Sequence, residues 1–350
     1  MNLSRCKQRL KALLAVCSRP GRILILMQNN PDPDAISSAA AVQEIARILL
    51  KKRAIIGHGG IFGRAENRAM VQQLHIKTRQ IGHTDLERFR IICLVDTQPY
   101  SGNNVLFHGQ RADIVIDHHE KTNRLPWNAE VSDIRPHYGA TSTILYEYLR
   151  AANIRISQRL ATALYYGIQS DTSELGRKAS KADIEAFQEL TSLADLRRLA
   201  RIRRAPVPPA YFGMLHEALS NAVLAGHTVI TFLAQCTNPD MVAEMAEMML
   251  RLQGVDTSVG YGVCKNTLHI SARAPHERGN LAKQMKRVTA GIGTGGGHRS
   301  MAGGQVPITD DKADLLLAHV RERILRYLAG NKPAHPLLIP EPLPEKHETS

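Results

Sequence analysis

Four stretches of the chain end in side chains that hold metal ions or move protons. Residues 114–119 read IVIDHH, an apolar strand running directly into Asp117, His118 and His119. Residues 91–97, IICLVDT, deliver Asp96 in the same way, and residues 23–34, ILILMQNNPDPD, lead through a short loop to Asp32 and Asp34. Residues 165–172, YYGIQSDT, place Asp171 after a helix-like run. In an open α/β sheet the carboxyl ends of neighbouring strands lie side by side, and ligands bind in the crevice outside them. Asp32, Asp34, Asp96, Asp117, His118, His119 and Asp171 could therefore meet in one crevice. That many carboxylates repel one another unless cations neutralise them. Oxygen ligands with one or two imidazoles suit hard or borderline divalent ions, Mn²⁺ or Mg²⁺. The chemistry this implies is hydrolysis assisted by two metal ions.

Each motif has an ordinary reading when taken alone. PDPD makes a good helix cap, since Asp at a helix start needs no function, and Asp171 could simply end a helix. It is their joint occurrence that points to a site.

The elements that must position these residues can be read in order. Leu3, Cys6, Leu10, Leu13, Leu14 and Cys17 recur at helical spacing and predict an amphipathic helix. Pro20-Gly21 marks a turn, residues 22–27 a strand, and small residues after Asp34 open a helix to about Lys52. A strand at 53–57 precedes GHGGIFGRAENRAM, where His58, Arg64 and Asn67 could touch an anionic ligand or belong to an ordinary polar loop. Strands at 89–95 and 112–116 complete an alternation that predicts an α/β fold with a doubly wound, mostly parallel sheet. Helices are expected over 140–152, 158–169 and 181–204, the last ending in Arg197, Arg198, Arg201, Arg203 and Arg204, either an RNA-facing patch or a solvated face. Ala205-Pro-Val-Pro-Pro reads as a linker.

The domain division that follows is 1–200, a linker over 201–225, a smaller α/β domain over 226–330, and a disordered tail over 331–350. Within the second domain, strands are expected at 227–234 and 267–273, with helices near 280–290 and 310–329. The methionines of MVAEMAEMML fall at helical spacing and read as core. GTGGGHRSMAGG is dense enough in glycine for backbone N–H groups to close on an anion, with His298 and Arg299 adding charge. It lacks the Gly-Lys-Ser/Thr of a P-loop.

Composition sets outer bounds. The length of 350 residues allows two or three domains. Net charge is +13, which favours polyanionic partners such as nucleotides or RNA, while aromatics at 5% give little material for stacking long single strands. Five dispersed cysteines without a CxxC pair fit reduced thiols in a cytoplasm. The basic start before ALLAVC loosely suggests a signal or lipid-attachment site, but its apolar run is too short and Val16 is too bulky for a cleavage site. No run approaches the roughly 18 apolar residues of a membrane span, so a soluble, cytoplasmic protein with no membrane partner is expected.

Taken together, NNPDPDAISSA, the Asp96 strand, DHH at 117–119, Asp171 after a helix, and GGGHRSMAGG at 295–304 resemble the DHH phosphoesterase superfamily, in the branch whose second domain is the DHH-associated nucleotide-binding domain. The resemblance covers about residues 20–325. It implies that Asp32 and Asp96 bind a first metal, and that Asp34, Asp96, His118 and Asp171 bind a second with Asp96 bridging. It also implies that His119 contacts the scissile phosphate, and that Asp117 orients the imidazoles. Arg273, Gly295, Gly296, Gly297, His298 and Arg299 would bind substrate in a second domain that closes over the first. Two divalent cations are implied, Mn²⁺ first and Mg²⁺ as the alternative, together with a homodimer. Where the family's first motif usually begins with His, this chain has Gln28, a weaker metal ligand.

The activity implied is that of the nanoRNase and adenosine 3′,5′-bisphosphate phosphatase branch: hydrolysis of short RNA and linear dinucleotides such as pApA to mononucleotides. A cyclic dinucleotide (c-di-AMP) phosphodiesterase is the alternative among enzymes. A degenerate nucleotide-binding sensor, marked by Gln28, is the alternative from another class.

Overall fold

The computed structural model describes residues 3–107, 109–121, 127–234, 236–275, 280–297, 299–308 and 313–338. The chain divides into two units, residues 1–206 and 207–350.

The first unit runs α1 (Leu3–Cys17), β1 (Ile23–Leu26), α2 (Pro33–Leu50), β2 (Ala54–His58), α3 (Ala65–Gln73), β3 (Thr78–Gln80), β4 (Ile91–Val95), β5 (Ile114–Asp117), β6 (Val131–Ile134), α4 (Thr141–Ala151), α5 (Gln158–Asp171), α6 (Lys181–Thr191) and α7 (Leu196–Arg203). Its sheet has the order β3-β2-β1-β4-β5-β6, with every neighbouring pair parallel. The strands are short apolar runs because both faces are covered. Ile23, Ile25, Cys93, Val95, Ile114 and Ile116 pack into a core shared with α1, α2, α4 and α5. Leu24, Leu26, Ile92, Leu94 and Val115 point the other way, into a smaller cluster with Leu86, Val105 and Leu106. The strand order reverses between β1 and β4, and the crevice outside such a switch point is where doubly wound sheets take ligands. β1 leads into Asp32 and Asp34 there, and β4 into Asp96.

The expected single helix over 181–204 is two, α6 and α7. The break between them lets Asp195 cap α7 by accepting the Arg198 N–H at 2.9 Å. α7 buries Leu199 and Ile202, which leaves Arg197, Arg201 and Arg204 along one exposed face. Arg198 and Arg203 pair with Asp195 and Glu174.

The second unit contains α8 (Pro209–Ser220), β7 (Val223–Ala225), β8 (Thr228–Leu233), α9 (Asp240–Met249), β9 (Thr257–Cys264), β10 (Thr267–Arg273), α10 (Leu281–Thr289), β11 (Thr294–Gly297), β12 (Met301–Pro307), α11 (Ala313–Leu328) and β13 (Ala334–Pro336). Its sheet, ordered β11-β12-β10-β9-β8-β7-β13, is antiparallel except for the β8–β9 pair. Met241, Met245 and Met249 sit in the core beside α8, as their spacing predicts. Two expectations need correcting. Residues 201–225 include the helix α8 and the strand β7, because Pro209 starts a helix at a position where its missing N–H costs nothing. Residues 334–336, expected within a disordered tail, form an edge strand on β7. Among the described residues, no helix is long and apolar enough to cross a membrane.

One glycine decides how closely α5 lies on α2. A Cβ on Gly167 would stand 2.3 Å from Ser37 Oγ, 2.4 Å from Ser142 Oγ and 3.2 Å from the Pro33 carbonyl. Helix propensity alone favours Gly167→Ala by about 1 kcal/mol. The expected outcome is the reverse: a net loss of roughly 1–3 kcal/mol from overpacking, read as a lower urea midpoint. A stabilised variant would show that α2 and α5 are not held at this distance.

Candidate metal centre

Asp34, in the first turn of α2, is wholly buried against the start of α4. Its Oδ1 accepts the Ser142 N–H at 2.8 Å and the Ser142 hydroxyl, and its Oδ2 accepts the Thr141 N–H at 2.7 Å. These amides would otherwise be orphans of the first helical turn, and the helix dipole there favours an anion. Thr141 also serves Asp96, whose Oδ1 accepts the Thr141 hydroxyl at 3.0 Å. Asp96 has φ +57°, a left-handed conformation that Asp tolerates better than most residues. That turn brings the chain off β4 while its N–H still bonds the Ile116 carbonyl at 3.0 Å.

Asp32 caps α2 by accepting the Ala35 N–H at 2.9 Å. Its second oxygen accepts the Gln28 amide at 3.0 Å. The Gln28 carbonyl oxygen in turn stands 3.4 Å from the Asn103 amide. Asn67 braces this loop through the Pro31 carbonyl at 3.0 Å, while His58 turns to the Gly60 carbonyl at 2.9 Å. These two side chains support the loop.

The two histidines are each fixed at Nδ1. His118 Nδ1 lies 3.1 Å from the Tyr138 carbonyl, which can only accept, so this nitrogen carries a proton. His118 Nε2 stands 3.1 Å from Asp171 and 3.6 Å from Asp96. Beyond those ion pairs this buried nitrogen has no hydrogen-bond partner among the described residues. His119 Nδ1 donates to Asp117 at 2.8 Å. The other Asp117 oxygen accepts from Gln98 at 2.7 Å.

Ligand atoms of Asp34, His118 and Asp171 all lie within 4.8 Å of one another, and so do those of Asp96, His118 and His119. Asp32 belongs to neither group. Donor chemistry fits a divalent cation: several carboxylate oxygens, an imidazole nitrogen presented by a hydrogen bond on its far side, and a charge the protein does not balance. Burial pushes Asp34 up to about 7, and Asp171 adds to it. Burial, then Asp34 and Asp32, hold Asp96 well above the usual carboxylate range. Burial and then Asp171 raise Asp32. Asp117 goes the other way: burial opposes ionisation, but His119 and its hydrogen bond bring Asp117 down to about 2. Burial would also lower His118, yet the adjoining Asp171 lifts it to about 10. Without a cation, protons must occupy the site.

In the second unit, Gly295 and Gly297 lie in β11, paired with Gly304 and Ala302 of β12. Much of the glycine-dense segment is thus a strand pair. A Cβ on Gly295 would stand 2.6 Å from Thr289 Oγ1 and 2.9 Å from the Met285 carbonyl, so part of the glycine content lets α10 pack on the strands. Gly296 pairs with Gly303. Arg273 ends β10 opposite Met301, and the Ala274 N–H bonds the Ser300 carbonyl at 2.9 Å. Arg273 and Arg299 therefore lie at the same end of this sheet. His298 lies outside the described residues.

Sequence reasoning missed Gln98, Thr141, Ser142 and Tyr138. The small polar run Thr141-Ser142-Thr143 at a helix start was the available signal for two of them. If the centre holds a cation, saturating Mn²⁺ raises Tm by roughly 5–10 °C at 100 times Kd. Asp96→Asn keeps an acceptor for Thr141 and tolerates the left-handed backbone while removing one repelling charge. Calorimetry should then show a metal-free Tm at or above that of the parent, with the Mn²⁺ shift lost. The same shift in both proteins would place the cation elsewhere.

Residues 22–168 match the DHH family, N-terminal domain, and residues 226–325 match the DHHA1 domain. An uncharacterized protein of Methanocaldococcus jannaschii is 35% identical over 292 residues, covering 83% of this chain and 59% of that protein. A second uncharacterized protein of the same organism is 28% identical over 165 residues, 45% of this chain and 48% of its own length. The chain thus spans about half the length of the curated relatives it matches. Among solved structures, an exopolyphosphatase-related protein from Bacteroides fragilis has a TM-score of 0.68 at 17% identity, over 92% of this chain and 98% of that one, a likeness of fold. A DHH domain followed by a DHHA1 domain, on this fold, makes the chain a member of the DHH phosphoesterase superfamily.

Proposed function

We propose that the protein is a metal-dependent phosphoesterase that hydrolyses short oligonucleotides or linear dinucleotides such as pApA to mononucleotides, with adenosine 3′,5′-bisphosphate as a further substrate. The observation that carries this reading is the pair of ligand groups sharing His118 at the sheet's switch point. Bound divalent cations would neutralise phosphate charge and make water more acidic. Asp34, Asp96, His118 and Asp171 are the proposed ligands of one ion, and Asp32 with Asp96 those of the other.

The remaining work falls to the chain's own groups. His119, with Nδ1 tied to a strongly acidic Asp117 that raises its affinity for a proton against the effect of burial, is the proposed contact to a phosphate oxygen. Gln98 fixes the other Asp117 oxygen and prevents that carboxylate from turning away. Arg273, Gly295, Gly296, Gly297, His298 and Arg299 are the proposed contacts to the rest of the substrate, with Arg charge suited to phosphate.

One observation favours a second reading, a nucleotide-binding sensor. The Gln28 amide donates to the Asp32 carboxylate, where a ligand nitrogen would be needed for a strong first metal position.

The test is Mn²⁺- and Mg²⁺-dependent turnover of pApA, adenosine 3′,5′-bisphosphate and c-di-AMP, with Asp96→Asn beside the parent. AMP release from pApA, reduced by at least about 10²-fold in the variant, is the expected outcome. Preference for c-di-AMP would reassign the substrate. Nucleotide binding without turnover of any of the three would sink the enzyme reading in favour of the sensor.

A further inference from the structure

We infer that the buried ion pair Arg135–Glu147 is a positioning device for His118, acting through the main-chain carbonyl of Tyr138. The inference rests on the metal-centre reading above and adds residues to it that no ligand would touch.

The turn after β6 is tied to the DHH strand and closed on itself. The Arg135 N–H donates to the Asp117 carbonyl at 2.9 Å, and the Tyr138 N–H donates to the Arg135 carbonyl at 3.0 Å. The Tyr138 carbonyl is left to receive His118 Nδ1 at 3.1 Å. Buried charge holds that turn in place. The Arg135 guanidinium forks onto Asp133, with Nε to Oδ1 at 2.9 Å and Nη2 to Oδ2 at 2.8 Å. Its Nη1 donates to Glu147 Oε2 at 2.6 Å. The Tyr138 hydroxyl donates to the other Glu147 oxygen at 3.1 Å, and the guanidinium lies 5.1 Å from the centre of the same ring. Tyr138 is therefore gripped at its N–H, its ring and its hydroxyl, and the carbonyl between them has one direction available.

The geometry has a consequence for the metal centre. A carbonyl accepts only, so it selects the Nδ1–H form and turns Nε2 toward Asp34, Asp96 and Asp171. Such far-side partners of ligating imidazoles typically contribute 10–100-fold in metal affinity. Glu147 lies on α4, the helix whose first turn also holds Asp34 and Asp96. One rigid element thus sets both the carboxylates and the imidazole.

A purely structural role would tie α1, β6 and α4 together through Arg9, Asp133, Arg135 and Tyr148, which bonds Asp133 at 2.8 Å. That role does not need the Tyr138 hydroxyl. Buried ion pairs are also weak stabilisers compared with apolar packing of the same volume.

The experiment compares Tyr138→Phe with Arg9→Met, which cuts the same network on its far side. Mn²⁺ is titrated calorimetrically into the metal-free protein, and the visible spectrum is recorded with Co²⁺ bound. Tyr138→Phe should lose about 10-fold in Mn²⁺ affinity and shift the Co²⁺ bands, beyond any lowering of the metal-free Tm from the lost Glu147 contact. Arg9→Met should lower Tm and leave affinity and spectrum as in the parent. Affinity within twofold of the parent and an unshifted spectrum in Tyr138→Phe overturn the proposal, as does an equal loss of affinity in Arg9→Met. A parent protein that binds neither ion refutes the metal-centre reading itself and takes this proposal with it, a result distinct from both.

Discussion

The rest of this structure depends on a cluster of carboxylates brought together out of water. Asp34, Asp96 and Asp117 are almost wholly buried, and Asp32 and Asp171 act electrostatically on the first two. Burying like charges together is costly, and the fold offsets only part of that cost. The first turn of α4 gives Asp34 two backbone amides and the positive end of a helix dipole, and gives Asp96 a hydroxyl. These contacts fix where the oxygens lie. They do not return Asp34 or Asp96 to an ordinary acidity, so the positioning is complete while the charge is not balanced. A site in that condition is organised around something positive.

Much of this was legible because a parallel sheet buried on both faces writes itself as apolar runs, and a carboxylate at the end of such a run has few places to be. Ile91–Val95 ending in Asp96 and Ile114–Ile116 ending in Asp117 could be read as strands that open on one crevice. Asp171 was less secure from sequence, since it closes a helix whose placement depends on contact with α2. The missing side chain at Gly167 is what permits that approach, and a lone glycine inside a helix does not announce which neighbour it accommodates.

Other features were illegible for identifiable reasons. A glycine-rich segment can cradle an anion or let a helix press on a strand, and composition does not distinguish them. At Gly295 and Gly304 the second applies, because Met285 and Thr289 of α10 occupy the space a Cβ would need. The tail over 331–350 is expected to be disordered, yet β13 is an edge strand, where the missing N–H of Pro336 can face away from the ladder. Arg135, in the turn after β6, and Glu147, on α4, are twelve residues apart, and nothing in their spacing shows that both are buried or that they meet.

Gln28 ties these points together. Replacing an imidazole by an amide leaves the charge of the site unchanged, because a metal-ligating histidine is neutral; what changes is donor strength and the partner of Asp32. With its NH₂ group on Asp32 Oδ2 and the Ala35 amide on Oδ1, that carboxylate is held on both oxygens before any cation arrives. Asp34, His118 and Asp171, by contrast, form a compact group with an imidazole nitrogen presented from behind. On the proposed reading the two metal positions are therefore unequal. The group around His118 is the stronger, and the position beside Asp32 is one that substrate phosphate oxygens would help to complete. Such inequality is compatible with catalysis, because a cation that binds together with the phosphate adds its charge when the reacting group is in place.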